Sequence, residues 1–136
     1  MGSREEGQTF DRLFTLAEAN SLLPQLEDCM EAVQRGKAIL MRTKKEIARA
    51  SANASFGGGA PSGPHYIGAL EQVGRHLHTV QEMGVLVKDI DIGLCDFPFM
   101  KDGRVVYLCW KLGEPDVRWW HEIDSGYSAR QAIDCL

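Results

Sequence analysis

Asp96, Cys109 and His121 are the side chains best equipped for chemistry, and a short hairpin is predicted to gather them. Leu94 to Met100 and Val105 to Trp110 alternate in polarity on either side of Asp102-Gly103, a dipeptide suited to a two-residue turn. That turn sets Asp96 opposite Cys109, with Tyr107 and Lys111 alongside. A third strand, Val117 to Glu122, then brings His121 and Glu122 near. Thiol, imidazole and carboxylate on one sheet face could serve as nucleophile, base and orienter. The surroundings argue against that reading. Nothing resembles a nucleophile elbow, no obvious oxyanion donors follow Cys109, and a cysteine in a central strand is more often packing material.

A second polar run, Lys88-Asp89-Ile90-Asp91-Ile92-Gly93, invites metal chemistry. As a calcium loop it fails, because Gly93 and Met100 fall where carboxylates are needed. As an aspartate-nucleophile phosphatase it fails too, since too little chain follows for a doubly wound sheet. A divalent-metal site on Asp89, Asp91 and Asp96 or His121 survives. So does an exposed strand face with Lys88 and Arg104 as ion-pair partners. His76 and His78, two residues apart on a helix, point to different sides and make no ligand pair.

These residues need a frame. The hairpin register turns Cys95, Phe97, Phe99, Val106, Leu108 and Trp110 to one apolar face, which should lie on helices. Pro98 cannot donate a ladder bond, which predicts an edge position for its strand. Trp119 and Trp120 should point to opposite faces, one into the core and one to the polar side. Upstream, Thr15-Leu-Ala-Glu18 is a capping box, Pro24 suits the first turn of a new helix, and a long helix is predicted from about Leu23.

That helix repeats every seven residues. Leu26, Val33, Leu40 and Ile47 form a bulky row, and Leu22, Cys29, Gly36, Thr43 and Ala50 a mostly small one. Such pairing lets a partner helix come close. Its complement runs through Tyr66, Leu70, Val73, Leu77, Val80 and Gly84, the last a left-handed helix stop. Acidic residues gather early in the long helix and basic ones late, which complements the helix dipole.

The division is therefore a loose arm over residues 1–9, a first helical segment over 15–50 and a Gly/Pro-rich connector over 51–64. A second helix over 65–84, a meander over 85–123 and a tail of loop and short helix over 124–136 complete it. The expected fold is α+β, a long antiparallel helical hairpin packed on a three-stranded antiparallel β-meander. The first helix overhangs the second, and a second copy of the chain is the simplest thing for it to rest on, so a homodimer is expected.

With 136 residues and a formal charge of -4, the chain suits one domain and argues against nucleic-acid or anionic-membrane binding. No apolar run approaches the ~20 residues of a membrane span, and Met1 to Gln8 is no leader. Four scattered cysteines suit a reducing cytoplasm.

One resemblance rests on motif residues recurring in order. These are Phe14-Thr15, Glu18-Ala19-Asn20, Leu22-Leu23-Pro24, Val87-Lys88-Asp89, Gly93-Leu94, Asp96-Phe97-Pro98, Gly103-Arg104, Leu108-Cys109-Trp110, Gly113-Glu114, Trp120-His121-Glu122, Gly126 and Arg130. With them the chain resembles the prokaryotic family catalogued as domain of unknown function 2203. Ala132 departs from the proline usual there. The resemblance implies no activity. It does nominate site residues, Lys88, Asp89, Asp96, Arg104, Trp110, Glu114, Trp120, His121 and Arg130, which buried charge networks would equally explain.

The leading expectation is a small cytoplasmic binding or adaptor module, homodimeric, with a polar pocket near Asp96, Trp120 and His121. Its small-molecule or protein ligand is unspecified. The alternative is a metal-binding protein or small enzyme using Asp89, Asp96, Cys109 and His121, with a divalent metal as cofactor.

Overall fold

Thr15 opens the helical layer as the sequence predicts. Its side chain accepts from Glu18 N at 3.1 Å while Glu18 Oε1 accepts from Thr15 N at 2.8 Å, so two orphan donors are satisfied reciprocally. Helix α1 spans Leu16–Ser21 and α2 spans Leu23–Ala52. The break between them follows from Pro24, which has no N–H to continue the helical ladder. Helix α3 spans Gly63–Glu82, followed by Gly84 at φ +86°. The computed structural model describes Phe10, residues 12–52 and residues 63–134. The arm over 1–9 and most of the connector over 51–64 lie outside them.

Helices α2 and α3 pack on each other, and Gly36 shows why small residues were needed. A Cβ there would sit 2.5 Å from Val73 Cγ2 and 3.6 Å from the Ala69 carbonyl oxygen. The contact line therefore runs through Ala69 and Val73. This corrects the expected seam: Ala69 is buried and Leu70 is 52% exposed. The first turns of α2 reach the sheet instead. Leu23, Leu26, Cys29 and Met30 share one core with Phe14, Val80, Cys95, Phe97, Val106, Leu108, Trp110 and Trp120.

The sheet is where the expectation needs most revision. It has five antiparallel strands in sequence order, not three. Strands β2 (Leu94–Lys101) and β3 (Arg104–Lys111) form the predicted hairpin, and β4 (Trp119–His121) pairs with β3. Strand β1 (Leu86–Asp89) adds to the outside of β2 through a register shift between Val87 and Asp89. Strand β5 (Gln131–Ala132) adds to β4. Both additions are short and lack sustained alternation, so local pattern could not reveal them.

The hairpin register itself is as expected, with Cys95 facing Trp110, Asp96 facing Cys109, Phe97 facing Leu108 and Phe99 facing Val106. Asp102 at φ +51° and Gly103 at φ +81° supply the two left-handed residues of a primed turn. Strand β2 is not an edge strand, which corrects the reading of Pro98. The proline is tolerated because β1 pairs only with Leu94, Cys95 and Asp96. Beyond that point the Pro98 carbonyl accepts from Phe14 N at 2.8 Å. Among the described residues, no helix is long and apolar enough to cross a membrane.

Candidate functional site

Strand alternation decides which side chains can meet. Leu108 faces Trp120 across β3–β4, which sends Trp120 to the core face; Trp110 is on that face as well. Neither tryptophan lines a polar site, and Trp110 Nε1 donates to the Glu114 carbonyl at 2.9 Å. The tryptophan on the polar side is Trp119, opposite Cys109. Two adjacent tryptophans carry no local signal for which one turns inward.

On the polar face the nominated centre assembles. Asp96 and Cys109 are directly paired, and His121, paired with Tyr107, reaches diagonally across β3. His121 Nε2 lies 3.1 Å from Asp96 Oδ2. The candidate ligand atoms of Asp96, Cys109 and His121 all lie within 4.8 Å of one another. All three residues are buried, at 1%, 0% and 3% exposure. The Tyr107 ring packs edge-on against His121 at 5.6 Å, and Phe10 packs edge-on against Tyr107 at 6.1 Å. Lys88 forms the rim. Its Nζ is 4.6 Å from the Tyr107 ring centre and 4.0 Å from Asp96 Oδ2, with the side chain 40% exposed.

Hydrogen bonds fix the imidazole. Nδ1 lies 2.7 Å from the Glu122 carbonyl oxygen, which can only accept, so Nδ1 carries a proton. Nε2 faces the carboxylate. The hydrogen bond to Asp96 raises the His121 pKa, against an opposing effect of burial. Asp96 Oδ1 is buried with no hydrogen-bond partner among the described residues.

The thiol is no ready nucleophile. Burial first, then the Asp96 carboxylate, push Cys109 up to about 12, and nearby Arg130 only partly opposes them. Both ring nitrogens of His121 are already committed, to Asp96 and to the Glu122 carbonyl. Asp96, which hydrogen-bonds the Cys109 side chain, favours the thiol over the thiolate and so does not activate it.

The other nominated residues have structural partners. Arg130 Nη2 donates to Glu114 Oε1 at 2.7 Å and Oε2 at 3.0 Å, and its guanidinium lies 5.0 Å from the Trp119 ring and 4.8 Å from the Tyr127 ring. Glu114 Oε1 also accepts from Lys111 N at 2.7 Å. This clamp holds the tail against β3 and β4 beside Cys109, whose carbonyl Arg130 Nη2 reaches at 3.4 Å. Arg104 is drawn away to Glu122, with Nε–Oε1 at 3.0 Å and Nη2–Oε2 at 2.5 Å.

Asp89 and Asp91 do not join the cluster. Asp89 Oδ1 accepts from Asp91 N at 2.9 Å and Ile92 N at 3.3 Å, capping its own turn. Asp91 pairs with Lys37 at 2.6 Å, and Gln34 Nε2 holds the Ile90 and Asp91 carbonyls at 3.0 Å each. Among the described residues, the side chains brought close enough together that they could hold a metal ion are Asp96, Cys109 and His121, without the loop aspartates.

Fold and site together define an α+β domain with a buried carboxylate–thiol–imidazole centre on the sheet face turned away from the helical core. Residues 12–133 match the family model described as "Uncharacterized conserved protein (DUF2203)", and the chain belongs to that family. Comparison with curated proteins and with solved structures gives no match in either case.

Proposed function

We propose that the chain is a small binding module whose ligand centre is the polar sheet face around Asp96, Cys109 and His121, with Lys88 and Tyr107 at its rim. The observation that carries this is Asp96 Oδ1, a buried acceptor on a 1%-exposed residue that has no hydrogen-bond partner among the described residues. Leaving such an oxygen unmatched costs about 1–3 kcal/mol or more when the group is charged. A fold has reason to keep it where a ligand completes the bonding. Lys88, 40% exposed and 4.0 Å from Asp96 Oδ2, is where the centre meets solvent.

The enzyme alternative has less support, because Cys109 is held as a thiol and both His121 ring nitrogens are engaged by Asp96 and the Glu122 carbonyl. A cytoplasmic location fits the free thiols of Cys29, Cys95 and Cys109. Homodimerisation belongs to the same reading. Met41, Ile67 and Leu70, each about half exposed or more, offer apolar helix surface to a second copy, and sedimentation velocity of the wild type against Leu70→Glu tests it.

The main reading is tested by thermal shift with three probe classes: divalent transition metals, inorganic phosphate and short carboxylic acids. At least one class should raise Tm in the wild type and leave Asp96→Asn unmoved. A wild-type Tm flat across all three classes overturns the proposal, as does an equal shift in the variant.

A further inference from the structure

Resting on the reading just given, the geometry points to a divalent transition metal of the zinc class as the ligand of this centre, held by Asp96, Cys109 and His121. The His121 Nδ1–H is committed to the Glu122 carbonyl, so a neutral ring presents a bare Nε2 lone pair to Asp96 Oδ2 at 3.1 Å. Two lone pairs at that distance repel unless one positive charge lies between them. A proton satisfies the requirement, and so does a metal ion.

Cys109 favours the ion. A thiol beside a carboxylate and an imidazole supplies a third, soft donor, and Asp/Glu, His and Cys oxygen, nitrogen and sulfur are the atoms that bind zinc-class cations. Donors on a tetrahedral ion with the usual bond lengths stand about 3.3–3.6 Å apart. The Nε2–Oδ2 separation already falls near that, and the remaining spacings, none above 4.8 Å, need only a small inward movement.

Two further features fit. A backbone carbonyl fixing Nδ1–H is the outer-shell arrangement that orients a ligating histidine. Asp96 Oδ1, without a hydrogen-bond partner among the described residues, leaves the carboxylate a second oxygen to offer the ion. Three protein donors leave a fourth position, on which water or an exogenous ligand would sit. Binding replaces the Cys109 S–H bond with a sulfur–metal bond and displaces the proton held between His121 Nε2 and Asp96 Oδ2, both protons leaving to buffer.

The Lys88 ammonium lies 4.0 Å from Asp96 Oδ2, so it competes with any cation for the same carboxylate. Untagged full-length protein is stripped with chelator, loaded with Co²⁺, dialysed and assayed for metal and for visible absorption. The expected result is one retained equivalent with a thiolate-to-cobalt charge-transfer band. That band should vanish in Cys109→Ser and persist in Cys95→Ser. His121→Ala should weaken binding by roughly 100-fold or more, given that losing outer-shell partners alone costs up to that much.

Lys88→Met alters a half-exposed side chain, so it provides a reading even where the buried variants fail to fold. It should bind Co²⁺ several-fold more tightly than the wild type. No retained metal in the wild type, a bound ion without the sulfur band, or unchanged or weaker binding by Lys88→Met each overturns the metal assignment. If metal fails while phosphate or a carboxylic acid still raises Tm through Asp96, the wider binding reading stands and this one falls.

Discussion

His121 and Asp96, 25 residues apart in sequence, meet across strand β3 with Nε2 and Oδ2 at 3.1 Å, both side chains almost completely buried. Neither strand alone could place them. The pair exists because β2 and β4 flank the same central strand and both turn these positions to the polar face.

Breaking that pair from one side should be costly. His121→Ala leaves the Asp96 carboxylate buried without its strongest partner, and the expected destabilisation is about 3–5 kcal/mol. The double variant Asp96→Asn/His121→Ala removes the stranded charge and should lose less than the two single changes summed. Urea unfolding of all four proteins measures the coupling. Strict additivity would show that the pair does not interact.

The metal-free protein should also respond to pH through His121. Its pKa is raised chiefly by the hydrogen bond to Asp96, so the folded state holds the proton more tightly than the unfolded chain. The stability this contributes is complete below the ordinary histidine value of about 6.5 and is lost as pH rises through the higher folded value. Denaturation curves with chelator, from about pH 6 to about pH 9, should show the decline in the wild type and a flatter profile in His121→Gln.

Cys95 and Cys109 should be silent toward thiol reagents. Burial is the main cause that lifts each to about 12, leaving almost no thiolate near neutrality. Alkylation of the native, metal-free protein followed by peptide mass spectrometry should find both unmodified until denaturant is added. Fast labelling at Cys109 would make it a reactive cysteine after all.

Gly36 tests the helix pair independently of the site. Gly36→Ala gains helix propensity of about 1 kcal/mol, yet its Cβ would collide with Val73 Cγ2 at 2.5 Å. Overpacking of this kind costs about 1–3 kcal/mol, so net destabilisation is expected. In a Val73→Ala background the same change should become stabilising. Thermal melts of the cycle decide between collision and mere loss of flexibility.

Much of this protein is written in short-range pattern. The Asp102-Gly103 turn, the alternation on either side of it and the Thr15–Glu18 box each concern neighbours a few residues apart, and each appears in the structure as read. The facing of Asp96 and Cys109 follows from that turn alone, because a two-residue connection leaves one register. Family membership was legible too, from motif residues in order.

What only the folded chain decided is non-local. The phase of β4 chose Trp120 for the core and Trp119 for the polar face, although adjacent identical residues offer no preference. Arg104 found Glu122, 18 residues away beyond β4, so a charge that looked available for a site is committed elsewhere. Strands β1 and β5 join the sheet as pieces too short to show a period, held by partners already in place. Depth was decided last: a carboxylate on the hairpin's polar face reads as exposed until Tyr107, His121 and the neighbouring strands close around it, and that burial is what gives Asp96 its chemical character.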